Sequence, residues 1–243
     1  LYAPPIGFFI ADSFSFSLAF IVASAVALVS FFVCLTMSDS RTRMPITPQN
    51  ENEMSEAPFI SRAAIFPTLI FLTYAFTMAP VSTFLPMLSD VRELSVNPGF
   101  YFTILSGMTM LTTLLSGRIA DKFGRSAVII PGLTLVSIAM FMLSGSFTSA
   151  MFFGAAFFHG VGYGLIYPGI NSLVIDRVPA NERGSAIGTL QQAWDIGASG
   201  GNFIVGPIIG ALGVGSAFVV VGAGAATGVV GFITGNRNSK NIS

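Results

Sequence analysis

Charge is scarce in this sequence: Asp, Glu, Lys and Arg together make up 9% of its 243 residues, against about 25% in a soluble domain. So few charges cannot cover a water-exposed surface, and lipid is implied as the solvent. Cysteine occurs once, as Cys34, which excludes a disulfide framework and a thiolate metal cage. Histidine also occurs once, as His159, which excludes a multi-histidine metal site. Acidic and basic residues balance at 11 each, so net charge says nothing about nucleic acid, and no nucleic-acid partner is expected. There is no phosphate-binding P-loop, and a solitary histidine leaves no nucleophile–base pair. The chain is therefore predicted not to be an enzyme, with no catalytic residues, metal or cofactor. No secretory leader is visible, and a first residue of Leu1 rather than Met predicts a cut rather than a natural start.

What is abundant is apolar: 53% hydrophobic residues, 24 Phe and 26 Gly, with a mean hydropathy of +0.78. Spanning a bilayer as a helix takes about 20 consecutive apolar residues. The charges fall in clusters, and the uncharged gaps between them are long enough to span. Turn signals at Ser144-Gly145-Ser146 and Gly213-Val214-Gly215-Ser216 divide the two longest gaps. Seven complete spans are predicted, over about 13–36, 64–88, 98–117, 126–144, 150–175, 184–211 and 216–235. Residues 1–10 read as the end of an earlier, truncated span.

Lys and Arg orient the bundle, because they favour cytoplasmic loops. One set of alternating loops carries Arg41, Arg43, Arg62, Arg118, Lys122, Arg125, Arg177, Arg183, Arg237 and Lys240; the other carries only Arg92. The first set, with the C-terminus, is assigned to the cytoplasm. Residues 37–62 are polar and aperiodic, and are read as a flexible cytoplasmic linker between two bundles. The predicted domains are 1–36, the last part of an N-terminal bundle; the linker, 37–62; and a C-terminal six-helix bundle, 63–243. Ala3-Pro4-Pro5-Ile6-Gly7-Phe8 is echoed by Gly206-Pro207-Ile208-Ile209-Gly210-Ala211 about 200 residues later, as in transporters built from parallel repeats.

Gly117-Arg118-Ile119-Ala120-Asp121-Lys122-Phe123-Gly124-Arg125 fills a predicted cytoplasmic loop between two spans. Two glycines permit a tight reversal, Asp121 suits a helix N-terminus or an arginine, and Lys122 and Arg125 suit an opposing loop or lipid phosphates. The segment resembles the signature loop of the major facilitator superfamily, G-x-L-a-D-r-x-G-r-k, departing from it at Ser126. Pro179-Ala180-Asn181-Glu182-Arg183-Gly184, with Asn181 as the predicted N-cap, resembles the opening of that superfamily's eleventh span. The resemblance runs from the end of span five through span twelve of twelve. It implies an all-α integral membrane helical bundle of the general-substrate-transporter fold. It also implies that the Gly117–Arg125 loop latches the two bundles in the outward-open state, with Arg177 as the expected partner of Asp121. The Pro4 and Gly7 segment is similar to the end of the antiporter motif of span five, with Ala3 and Phe8 replacing glycines.

Candidate transport residues lie inside spans, where an ionisable group needs a partner or a water-filled cavity. Asp195 falls near the middle of its span with Gln191, Gln192 and Ser199 nearby, and is the candidate proton or cation site, with a structural Asp as the alternative. His159, Tyr163, Tyr167 and Asn171 recur every four residues on one span and so share a stripe, which the resemblance places against the central cavity, with a hydrogen-bonded packing role as the alternative for His159. Tyr74, with Thr77, Met78 and Thr83, is a similar candidate on another span. Gly206, Pro207 and Gly210 are read as packing and bending residues.

The function expected is secondary active transport, as proton-coupled efflux of a small solute or drug by alternating access. Uptake by a symporting permease, or a non-transporting receptor or scaffold of the same fold, are the alternatives. Expected partners are a small-molecule substrate, protons, the lipid bilayer and the missing N-terminal bundle of the full-length chain. A bacterial-type inner membrane is the expected location, and the fragment alone is expected not to transport.

Overall fold

A computed structural model describes residues 15–36 and 61–240, and every described regular element is helical. The helices are α1 (Phe16–Thr36), α2 (Ile65–Val91), α3 (Gly99–Phe123), α4 (Ser126–Ser144), α5 (Ser149–Arg177), α6 (Arg183–Leu212) and α7 (Val214–Lys240). Short 3-10 turns at Arg62–Ala64 and Ala180–Glu182 precede α2 and α6. Helices satisfy every backbone group internally, which is what a lipid environment demands. Helix α1 belongs to a separate unit from residues 57–243. The Pro4 and Gly7 segment and nearly all of the 37–62 linker lie outside the described residues.

By length and composition, α2, α3, α4, α5 and residues Val214–Asn236 of α7 are long and apolar enough to cross a membrane. The other two expected spans are helical but do not meet that test. Helix α1 carries a shorter apolar stretch, Phe20–Val33. Helix α6 is 30 residues long but is diluted by Gln191, Gln192, Asp195, Asn202 and a run of glycines. Such a composition suits a helix that faces protein or a water-filled path rather than lipid.

Within residues 61–240 the helices form two groups of three. Helix α2 packs on α6 and α7, and α5 packs on α3 and α4; α4 against α7 joins the groups at the back. Two apolar layers run across the bundle. One, with Phe71, Tyr74, Ile129, Leu133, Ile170 and Phe232, lies toward the Arg125 end. The other, with Leu88, Tyr101, Leu143, Phe152, Val214 and Phe218, lies toward the Arg92 end. Between membrane helices close contact replaces the hydrophobic effect, so small residues set the packing. A Cβ on Gly160 of α5 would stand 2.5 Å from the Leu105 carbonyl of α3, and one on Gly201 of α6 would stand 2.7 Å from the Phe76 carbonyl of α2. The Phe76 carbonyl lacks its helical donor because Pro80, four residues on, has no N–H.

At the end opposite Arg125, Arg92 ties three connections together. Its Nη2 donates to the Ser144 carbonyl at 3.1 Å, at the carbonyl-rich end of α4. Its guanidinium carbon lies 3.9 Å from the centre of the Phe147 ring, and a Cβ on Gly215 would come within 2.8 Å of Nη2.

Candidate functional site

The charged signature segment is mostly helix rather than loop. Helix α3 continues through Arg118, Asp121 and Lys122 to Phe123, and the reversal is confined to Gly124 and Arg125. Gly124 has φ +87, a conformation that side-chain-bearing residues rarely adopt. Gly117 is helical, with no atom near where a Cβ would stand, so of the two glycines only Gly124 makes the turn. Lys122 lies over its neighbour Phe123, 5.2 Å from the ring centre.

The expected Asp121–Arg177 pair is replaced by another. Arg125 Nη1 donates to Asp121 Oδ1 at 2.9 Å, and Arg125 Nε donates to Asp176 Oδ2 at 2.9 Å. Arg125 thus ties the end of α3 to the end of α5 from the N-cap of α4. Its pKa is raised above the usual guanidinium value, first by the Asp176 hydrogen bond; burial opposes this, and Asp121 adds to it. Arg177 turns elsewhere, with its guanidinium 5.2 Å from the Phe66 ring centre on α2. Adjacent residues on a helix point about 100° apart, and that rotation carries Asp176 toward Arg125 and Arg177 toward α2.

The start of α6 is also rearranged relative to expectation. The N-cap position falls on Glu182, not Asn181, and carries no side-chain cap. The Glu182 carboxylate instead accepts a 2.7 Å hydrogen bond from the buried Ser61 hydroxyl, which fastens the entry to α2. Asn236 of α7 donates to the Ser126 hydroxyl at 3.1 Å at the same end of the bundle.

Three of the predicted substrate candidates come together midway along the bundle. Tyr74 of α2 stacks on Tyr163 of α5 at 5.3 Å between ring centres, and Tyr163 meets Tyr167 at 6.1 Å. Phe71 and Trp194, which the sequence pattern does not single out, complete the cluster. Trp194 stacks on Phe71 at 5.8 Å and on Tyr163 at 6.2 Å, and Phe71 lies 6.0 Å from Tyr167. Exposure grades across the cluster: Tyr74 and Phe71 are buried, Tyr163 and Trp194 half-buried, and Tyr167 exposed. The available signal for Trp194 is its being the sole tryptophan, beside an aspartate that is followed by a long uncharged stretch. Phe71 carries none among 24 phenylalanines.

The His159–Asn171 stripe is split by depth. His159 is fully buried and pairs through Nδ1 with the Tyr101 hydroxyl of α3 at 3.1 Å. Asn171 donates to the Tyr167 carbonyl of its own helix at 2.8 Å. Asp195, Gln191 and Gln192 are exposed on α6, turned away from the Ala193, Gly197 and Gly201 face that packs within the bundle. Asp195 therefore adjoins Trp194 in sequence while presenting its carboxylate outward. A Cβ placed on Gly206 or Gly210 would meet no atom within 4 Å among the described residues, and Pro207 lies inside a continuous α6.

A family profile described as Major Facilitator Superfamily matches residues 1–202 and, overlapping them, 99–241. Multidrug resistance protein 1 of Bacillus subtilis (strain 168) is 28% identical over 112 residues, 46% of this chain and 28% of that protein. Quinolone resistance protein NorA of Staphylococcus aureus (strain Mu50 / ATCC 700699) is 28% identical over 101 residues, 42% of this chain and 25% of that protein. The matches thus span about a quarter of the length of these curated relatives.

Proposed function

The chain belongs to the Major Facilitator Superfamily, and we propose that the full-length protein containing it is a secondary active transporter that exports a small amphipathic solute in exchange for protons. The observation that carries this reading is the aromatic face of Tyr163, Tyr167 and Trp194 beside the outward-turned Asp195. Graded aromatic surface takes up a flat, apolar or cationic solute by stacking and cation–π contact. An intramembrane carboxylate that changes its hydration takes up and releases a proton. The drug-resistance names of the two relatives support export and an amphipathic cargo.

In this assignment α1 to α7 are spans six to twelve, and the Arg125 end faces the cytoplasm of a bacterial-type cell. The Asp121–Arg125–Asp176 array stiffens that end of the bundle, where the N-terminal bundle of the full-length protein closes against it in the outward-open state. The test is proton movement across liposomes that contain the full-length protein, driven by an imposed quinolone gradient. Asp195→Asn is expected to insert normally and bind the quinolone, but to lose proton movement. Undiminished proton movement in Asp195→Asn overturns the assignment. Protons and solute moving in the same direction would replace export with uptake by symport.

A further inference from the structure

Helix α6 carries a polar stripe along one side. Asp195, Ser199 and Asn202 are four and three residues apart, so they lie above one another on the helix surface, at steps of about 6 and about 4.5 Å along its axis. Asp195 and Ser199 are exposed, as are Gln191 and Gln192 one turn earlier. Asn202 is half-buried where α6 lies against α2. There its Nδ2 donates to the Thr83 hydroxyl of α2 at 2.9 Å. Its Oδ1 is enclosed and meets no hydrogen-bonding atom among the described residues. Beyond Asn202, toward the Arg92 end, Gly206 and Gly210 continue the stripe, and a Cβ on either would meet no atom within 4 Å among the described residues. The Asn202–Thr83 pair is thus the tight point of a stripe that is open on both sides of it.

The helices around Asp195 offer it no counter-ion. Residues 63–89 across α2, 126–175 across α4 and α5, and 196–236 across α6 and α7 contain no Asp, Glu, Lys or Arg. Their titratable side chains are Tyr74, Tyr163 and Tyr167, held in the aromatic cluster, and His159, buried on Tyr101. Glu182 and Arg183 lie at the start of α6, about three turns from Asp195. A carboxylate inside a span and without a counter-ion depends on water. Asn202 can hold that water in either orientation of its carboxamide. With Nδ2 on Thr83, Oδ1 accepts from water; with the amide turned, Thr83 donates to Oδ1 and Nδ2 donates to water. One end is always left over, and an enclosed polar atom is almost always satisfied by protein or water.

Resting on the reading of Asp195 as the proton site, we propose that Asn202 and Thr83 are positioning residues that hold water in the α6 stripe, through which Asp195 exchanges its proton with the Arg92 side. A hydronium ion on that side gives up a proton and becomes water. The proton passes along the held water and forms an O–H bond on the Asp195 carboxylate. Asn202 and Thr83 neither gain nor lose a proton.

The test compares two reactions of the full-length protein in liposomes. Exchange of labelled for unlabelled quinolone turns the carrier over without net proton movement. Proton movement driven by a quinolone gradient requires each proton to reach and leave Asp195. Asn202→Leu, and Thr83→Val, which keeps the shape of the side chain, are expected to slow proton movement severalfold and to leave exchange unchanged. Asn202→Gln should recover part of the loss. Proton movement at the wild-type rate in both Asn202→Leu and Thr83→Val overturns the proposal. Equal slowing of both reactions also overturns it, because a packing role alone would produce that. The two readings fail separately. Wild-type proton movement in Asp195→Asn removes the proton site, and this proposal with it. Its loss in Asp195→Asn but not in Asn202→Leu or Thr83→Val removes only the role of the stripe.

Discussion

Arg125 and Asp176, 51 residues apart in the chain, are joined by a 2.9 Å hydrogen bond from Nε to Oδ2 at the Arg-rich end of the bundle. The second arm of the same guanidinium holds Asp121. One side chain thus connects the ends of three consecutive helices, using the planar, multi-donor geometry that distinguishes arginine from lysine.

This array is expected to matter more for movement than for stability. The carboxylates are half or more exposed, at 74% for Asp121 and 51% for Asp176, and exposed pairs are worth only about 0.2–1 kcal/mol. Asp176→Asn and Asp121→Asn should therefore melt within a few degrees of wild type while slowing transport severalfold. Arg125→Lys should slow it as well, since an ammonium does not reproduce the fork. Wild-type transport rates in all three, measured in liposomes, would remove the array from the mechanism.

The aromatic cluster yields a graded prediction for ligand binding. Aromatic pairs contribute about 0.5–1.5 kcal/mol each, and Trp194 touches Phe71, Tyr74 and Tyr163. Trp194→Ala is expected to weaken solute binding by about tenfold or more, with Trp194→Phe intermediate. Tyr167→Phe, which keeps the ring on the exposed side, should bind nearly as wild type. Fluorescence titration of the purified full-length protein would show the order.

Glycine positions separate packing from open surface. A methyl on Gly160 meets the Leu105 carbonyl, and one on Gly206 meets nothing within 4 Å. Gly160→Ala should destabilise by about 1–3 kcal/mol through overpacking. Gly206→Ala should be neutral, or stabilising by up to about 1 kcal/mol from helix propensity. Thermal unfolding in detergent distinguishes the two, and equal shifts would contradict the close α3–α5 approach.

At the far end, Arg92→Ala removes a carbonyl hydrogen bond and a cation–π contact together. A loss of about 1–2 kcal/mol is expected. Arg92→Lys should recover part of it, because a lysine can still lie over Phe147. Gly215→Ala should cost less than Arg92→Ala, since Nη2 is the end of a flexible side chain that can shift. Unfolding midpoints of the three variants test this order.

Much of this architecture was legible in the chain. Uncharged gaps between charge clusters located α1 to α7, and glycine with charges of the right sign located the Arg125 turn. Helix ends were less legible: α3 runs on through Asp121 because a charged helical turn reads like a polar loop. The aromatic cluster was only half visible. Tyr74, Tyr163 and Tyr167 stand out as polar aromatics in apolar helices, whereas Phe71 is indistinguishable in sequence from a lipid-facing phenylalanine.

The sequence by itself determined that this is a bundle of membrane helices, because hydropathy and charge spacing are local and additive along the chain. It determined the family for the same reason, since the signature segment is contiguous. Tertiary structure decided the partnerships: Asp176 rather than Arg177 at the charged end, Trp194 and Phe71 against the tyrosines, and Tyr101 as the partner of a buried His159. Each of these depends on how one helix is rotated against its neighbour. A rotation of about 100° exchanges adjacent residues, and packing between helices, including glycines such as Gly160 and Gly201 held against neighbouring backbone, sets it.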